Sequence, residues 1–173
     1  MASVLRLTPG DAERYQAIRR EMLLDAPWAF LASPGDDSAE DTALLRRRLR
    51  DPENVILAIE REGGDGLAAV AGIRRIERMK MRHWASVWGV YTTPDERGRG
   101  HARALLTEAI ARARTWGGVE MVGIAVSANA PAALRLYESL GFVTWGREPR
   151  VTRVGDYTYD EIHLALELRS GSG

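Results

Sequence analysis

The stretch Val90-Tyr91-Thr92-Thr93-Pro94-Asp95-Glu96-Arg97-Gly98-Arg99-Gly100-His101-Ala102-Arg103 constrains this chain more than any other part of it. A β-rich run meets a turn, and two glycines remove side chains where a helix begins. An amphipathic helix follows, with Ala102, Leu105, Leu106, Ala109, Ile110 and Ala113 on one face. The free N–H groups at such a helix start can converge on one point, and the helix dipole adds positive potential there, so the loop suits an anion. A helix N-terminus needs no ligand, however, and Gly-x-Gly alone is a weak signal. Two phosphate-binding loops are excluded by inspection. The dinucleotide fingerprint has a third glycine where Arg103 stands, and the Gly-Lys-Ser/Thr of the P-loop is absent.

The rest of the chain surrounds this unit with further strands and helices. Ser3 to Leu7 alternates like an opening strand, and Thr8-Pro9-Gly10-Asp11 supplies a cap, a first-turn proline and an acid for a helix ending near Ala26-Pro27. Ser38 to Arg50 reads as a second helix, with Arg46, Arg47, Arg48 and Arg50 as a solvated end matching the macrodipole. Asn54 to Glu60 and Leu67 to Ile76 form a hairpin about Gly63-Gly64-Asp65-Gly66, and His83 to Thr92 continues the sheet. Gly89 marks either a bulge or close backbone approach, or an ordinary weak point in that strand. The helix from about Gly100 to Trp116 precedes a strand over Val119 to Ser127 and a short helix over Asn129 to Leu140. Strands Phe142 to Glu148 and Tyr157 to Leu168 close the chain. The order βααβββαβαββ is an α/β (α+β) arrangement: a central mixed, mostly antiparallel seven-stranded sheet flanked by about four helices.

With 173 residues and 45% hydrophobic content, one domain over 1–169 is expected, followed by a flexible polar tail over 170–173. The 24 basic and 24 acidic side chains cancel, so no overall field draws the protein to nucleic acid. With no cysteine there are no disulfides, thiolate metal sites or cysteine nucleophile, and His83, His101 and His163 share no metal-ligand spacing, so no metal is expected. No secretory leader or run of about 18 apolar residues is seen, which points to a cytoplasmic protein without membrane association.

Arg97-Gly98-Arg99-Gly100-His101-Ala102 resembles the cofactor loop Arg/Gln-x-x-Gly-x-Gly/Ala of the GNAT acetyltransferase superfamily. Asn129-Ala130-Pro131-Ala132-Ala133-Leu134-Arg135-Leu136-Tyr137-Glu138-Ser139-Leu140-Gly141-Phe142 is similar to that family's Asn-x-x-Ala-x-x-Leu-Tyr-x-x-x-Gly-Phe signature. The resemblance implies a GNAT-like domain that uses acetyl-CoA and moves its acetyl group to a primary amine of a small molecule or protein within a ternary complex. It places the pantetheine arm along Val90, Tyr91 and Thr92, and the pyrophosphate on Arg97, Gly98, Arg99, Gly100, His101, Ala102 and Arg103. Asn129 either caps its helix or touches the cofactor. Tyr137 becomes the acid that protonates departing CoA thiolate, although a tyrosine that merely packs its ring and wets its hydroxyl fits the local pattern as well.

Some relatives carry a glutamate five residues before the motif asparagine, and this chain has Ile124 there. Asp160 and Glu161, entering the last strand, are the candidate bases, with Glu161 ahead; a solvated strand end is the plain alternative. A domain without an effective base would instead be a non-catalytic acyl-CoA-binding regulatory module. Trp28, Phe30 and Trp88 are candidates for the acceptor cleft, and Trp28 and Phe30 fit equally well as plugs over the core. An exposed strand edge would allow a homodimer.

Overall fold

The computed structural model describes residues 3–64 and 66–168, so the proposed tail and Asp65 of the first hairpin lie outside the described residues. Strands β1 (Leu5–Arg6), β2 (Asn54–Glu60), β3 (Leu67–Arg75), β4 (Trp84–Thr92), β5 (Met121–Ser127), β6 (Val143–Val154) and β7 (Tyr157–Glu167) form one sheet in the order β1-β2-β3-β4-β5-β7-β6. Every neighbouring pair is antiparallel except β4 and β5. That pair is joined through α3 (His101–Thr115), as a parallel connection requires.

Strand alternation builds two cores. Val55, Leu57 and Ile59 of β2 turn to one face, where they meet Leu105, Leu106, Ala109 and Ile110 of α3 and Tyr137 of α4 (Pro131–Ser139). Ile56 and Ala58 turn to the other face, against Ala12, Tyr15, Ile18 and Met22 of α1 (Ala12–Asp25) and Leu45 of α2 (Thr42–Arg48). The apolar spacing that marks each helix is therefore the stripe it buries.

Several boundaries differ from the sequence reading. β1 has only two residues, and the first helix starts at Ala12 after a 3-10 turn over Pro9–Asp11, where the Asp11 carboxylate accepts from Thr8 N at 2.9 Å and Thr8 Oγ1 at 2.8 Å. The segment from Ser38 divides into a 3-10 turn and α2, because the Asp41 side chain caps a fresh start by accepting from Leu44 N. β6 runs six residues past Glu148. Its register shifts between Glu148 and Thr152, Arg150 takes φ +55°, and pairing resumes at Thr152 with Tyr159. Pro149 is tolerated because β6 is the edge of the sheet and the proline falls within the bulge.

Candidate active site

Residues β4 and β5 share three ladder pairs: Trp84 with Met121, Ala85 with Val122, and Ser86 with Gly123. Beyond them β4 continues to Thr92 with no β5 partner, while β5 stays paired with β7 as far as Ser127. The sheet is split into two arms, and the inner edge of β4 from Val87 onward has unpaired backbone groups.

Just beyond the last β4–β5 pair, β4 is irregular on its other side, against β3. Ile73 faces Val87, Gly72 faces Trp88 and Val70 faces Tyr91, so Gly89 and Val90 together oppose Ala71. This is a β-bulge, and Gly89 sits at φ +59°, a conformation that favours glycine. The inserted residue resets the alternation. Val87 and Val90 both face the α3 side, whereas Trp88 and Tyr91 face the α1 side.

At the end of β4 the loop turns through Gly98 (φ +79°) and Gly100 (φ +83°), the latter being the N-cap of α3. Among the described residues, the backbone N–H groups of Gly98 through Arg103 donate to no protein acceptor; the first bond of the new helix runs from Ala104 N to Gly100 O. A Cβ at either glycine would meet nothing within 4 Å. Six open donors, a helix N-terminus and empty space above it form a cradle that fits a diphosphate.

The three loop arginines are already anchored. Arg97 pairs with Asp25 of α1, lies 5.9 Å from the Tyr91 ring centroid and donates from Nε to Thr92 O at 3.2 Å. Arg99 pairs with Glu96 at 3.2 Å, and Arg103 donates to Ser139 Oγ of α4 at 2.8 Å. His101 Nε2 lies 3.0 Å from Glu96 Oε2, and Ala102 is half-buried on the first turn. The Tyr91 ring is buried on the α1 side, with its hydroxyl 3.2 Å from Asp25 Oδ2, so of Val90, Tyr91 and Thr92 it is the backbone that faces the opening.

Tyr137 lies in the α3-side core, 5% exposed, its ring 6.3 Å from that of Phe142. Burial alone raises its phenol well above the ordinary value, so at neutral pH it carries its proton. Asn129 is exposed and stands one residue before the N-cap, Ala130, with Pro131 opening α4. It is therefore not the cap, because the proline starts the helix two residues later than the sequence reading expected.

The two candidate bases differ. Asp160 accepts from Arg150 N at 3.0 Å and Arg147 Nε at 2.8 Å, and these bonds hold its carboxyl below the usual range. Glu161 pairs across the sheet with Ser127, at the tip of β5. Burial raises its carboxyl above the ordinary value, with His163 opposing and Glu148 adding to the rise. Glu148, Glu161 and His163 bring their ligand atoms within 4.8 Å of one another, a cluster that linear spacing did not reveal. Ile124, where some relatives have an acid, is 5% exposed within the α3-side core and faces away from Glu161.

The three aromatic candidates do not share one cleft. The segment between α1 and α2 crosses the split: Phe30 packs edge-on against Tyr91 of β4 at 6.4 Å, and Trp28 lies 6.4 Å from Tyr159 of β7 while its carbonyl accepts from Thr152 Oγ1. Trp88 instead lies under α2, its indole against the Cα of Gly72, in a cleft of about 1010 Å³ on the α1 side. Among the described residues no helix is long and apolar enough to cross a membrane.

Comparison with known proteins agrees with this geometry. The chain is 34% identical over 149 residues to the N-alpha-acetyltransferase RimI of Mycobacterium tuberculosis, covering 86% of this chain and 82% of that protein. Its fold matches a phosphinothricin acetyltransferase (Pat) from Sinorhizobium meliloti solved in complex with AcCoA (TM-score 0.85, 20% identity, 99% and 90% of the two chains). It also matches a ribosomal-protein-alanine N-acetyltransferase from Brucella melitensis (TM-score 0.79, 25% identity, 96% and 99% covered). Residues 15–142 match the Acetyltransferase (GNAT) family, and the chain belongs to that family of acetyltransferases.

Proposed function

We propose that this protein transfers an acetyl group from acetyl-CoA to a primary amine of a small molecule or protein by direct attack in a ternary complex. The observation that carries this reading is the run of six open N–H groups, Gly98 to Arg103, at the end of a strand whose inner edge is unpaired. The names of the relatives, an N-alpha-acetyltransferase and a ribosomal-protein-alanine N-acetyltransferase, support an amine as acceptor.

Acetyl-CoA would supply an acetyl group activated as a thioester. The amides of Gly98 to Arg103 hold the diphosphate, and the free edge of Val90 to Thr92 satisfies the amides of the arm by strand-like pairing. A backbone N–H of β4 near the bulge polarises the acetyl carbonyl. An alkyl ammonium has a pKa near ~10 and must lose a proton before it attacks; Glu161 takes that proton, and burial makes its carboxylate a better base than a solvated one. Tyr137, neutral at working pH, donates its hydroxyl hydrogen to the leaving sulfur.

Release of free thiol from acetyl-CoA across a panel of amines tests the reaction. Tyr137→Phe should lower kcat by about 10²- to 10⁴-fold while the CoA dissociation constant, measured by calorimetry, stays within about twofold. Equal rates for the two proteins would remove Tyr137 from the mechanism. Absence of turnover with every amine, despite tight CoA binding, would overturn the reading.

A further inference from the structure

The loop that carries the six open N–H groups has little of its own to hold it. Residues 97–100 are exposed, and two of the four are glycines at positive φ with no protein atom near the position of a Cβ. Among the described residues, no backbone hydrogen bond joins its two ends. Arg97 N reaches back to Pro94 O at 3.5 Å, within the 3-10 turn Pro94–Glu96, and the first bond of α3 runs from Ala104 N to Gly100 O. Glycines left unbraced in this way sample many conformations, and in most of them the N–H groups point apart.

The side chains on either side of the exposed stretch are covered instead. Glu96, which ends the 3-10 turn, is 12% exposed at its side chain, and His101, the first residue of α3, is 10% exposed. Glu96 Oε2 lies 3.0 Å from His101 Nε2 and 3.2 Å from Arg99 Nη1, so one carboxylate oxygen meets both the middle and the far end of the loop. A carboxylate held by arginine only accepts, which places a proton on His101 Nε2. His101 Nδ1 is sealed with no partner, a cost borne at the point where the two ends are joined. The charge of Glu96 has the wrong sign for this place: it repels an anion seated on the loop and keeps Arg99 engaged. Attraction for the ligand therefore does not explain a covered carboxylate here, whereas the two contacts it makes across the loop do.

We infer that Glu96 is a positioning residue for the acetyl donor: its carboxylate, bonded at once to Arg99 and His101, closes the base of the loop and fixes Gly98 and Gly100 so that the N–H groups of Gly98 to Arg103 converge. The inference rests on the reading of this loop as the diphosphate cradle, and adds to it a residue that acts through the loop. Part of the ordering that cofactor binding would otherwise require is thereby already in place, which strengthens binding although the clasp itself is negatively charged.

Charge and position predict opposite signs, and calorimetry with CoA on wild type, Glu96→Ala, Glu96→Gln and His101→Phe separates them. If only charge matters, Glu96→Ala frees Arg99 for the diphosphate and tightens binding. The clasp predicts the reverse: Glu96→Ala should weaken CoA by about 3- to 10-fold, the scale of one or two lost hydrogen bonds, and raise KM for acetyl-CoA by the same factor in thiol release. At saturating acetyl-CoA, kcat and the KM of the amine should stay within about twofold of wild type. Glu96→Gln keeps an oxygen that accepts from both His101 and Arg99, so it should bind CoA within about twofold of wild type, and Glu96→Ala should add little in the His101→Phe background. A Glu96→Ala protein that binds CoA as tightly as wild type or more tightly, or a Glu96→Gln protein as impaired as Glu96→Ala, would overturn the inference. So would a lowered Tm with CoA affinity intact. Should Glu96→Ala not fold, His101→Phe against wild type reads the same contact, and unchanged affinity there would be equally decisive. Wild type that binds no CoA would instead sink the reading of the loop as a cofactor site, on which the clasp depends.

Discussion

Gly72→Ala should loosen the fold and the floor of the cleft together, because the indole of Trp88 rests on the glycine. A Cβ built at position 72 would lie 2.1 Å from Cε2, 2.4 Å from Cζ2 and 2.5 Å from Cδ2 of Trp88. Carbon atoms in ordinary contact stand about 3.5–4.0 Å apart, so the ring must withdraw by more than about 1 Å, and it is the broad fused edge of the indole that is blocked. Overpacking of this kind costs about 1–3 kcal/mol. For a domain of this size that is a fall in Tm of roughly 2–10 °C. Urea unfolding of wild type, Gly72→Ala, Trp88→Ala and the double variant completes the measurement. With the indole gone, the added methyl meets no obstacle, so Gly72→Ala should become neutral or mildly stabilising in the Trp88→Ala background, since alanine is less costly than glycine within a strand. The same cost in both backgrounds would refute the contact, and an unchanged Tm in the single variant would refute the packing itself.

Gly100→Ala separates backbone strain from ligand exclusion: a non-glycine residue at φ +83° costs roughly 1–2 kcal/mol of stability, and because the added methyl meets no protein atom, a much larger loss of CoA affinity by calorimetry must come from the ligand side. Unaltered affinity would remove the loop from the cofactor site. For Glu161, burial raises the folded-state pKa above the unfolded value near ~4.3, so its ionisation opposes folding as pH rises through the folded pKa, and no penalty remains below the unfolded one. Glu161→Gln should therefore unfold at higher urea concentration than wild type at pH 7–8, converge with it near pH 4, and lose the acid limb of the kcat/KM profile; a retained acid limb would place the base elsewhere.

How far the sequence could be read depended on whether the signal was local. Gly98 and Gly100 were legible because an exposed left-handed turn before an amphipathic helix has few other spellings, and the strand runs were legible because each buries an alternating face. Register, bulges and cross-strand neighbours are set by partners distant in the chain. Pro149 reads as the end of a strand and is instead absorbed by a bulge on an edge, so β6 ran longer than expected. Asn129 has the residue type of a cap but stands outside the helix that Pro131 begins. Trp28, Phe30 and Trp88 share a character and not a location, since Trp88 points where its pairing with Gly72 turns it, while Trp28 and Phe30 lie on the segment that crosses the split. The sealed indole nitrogen over Gly72 and the gathering of Glu148, Glu161 and His163 belong to sheet order alone, and no spacing along the chain encodes them.

The two arms of the sheet meet along a seam of only three residue pairs, and the aromatic strap from Phe30 to Trp28 spans its open side. A hinge that short leaves the angle between the arms to the packing around it, the core they share with α3 and the brace across the mouth. Wedging anything between the strands must then work against ring packing at the far end, so the grip on the donor and the width left for an incoming nucleophile are mechanically one quantity.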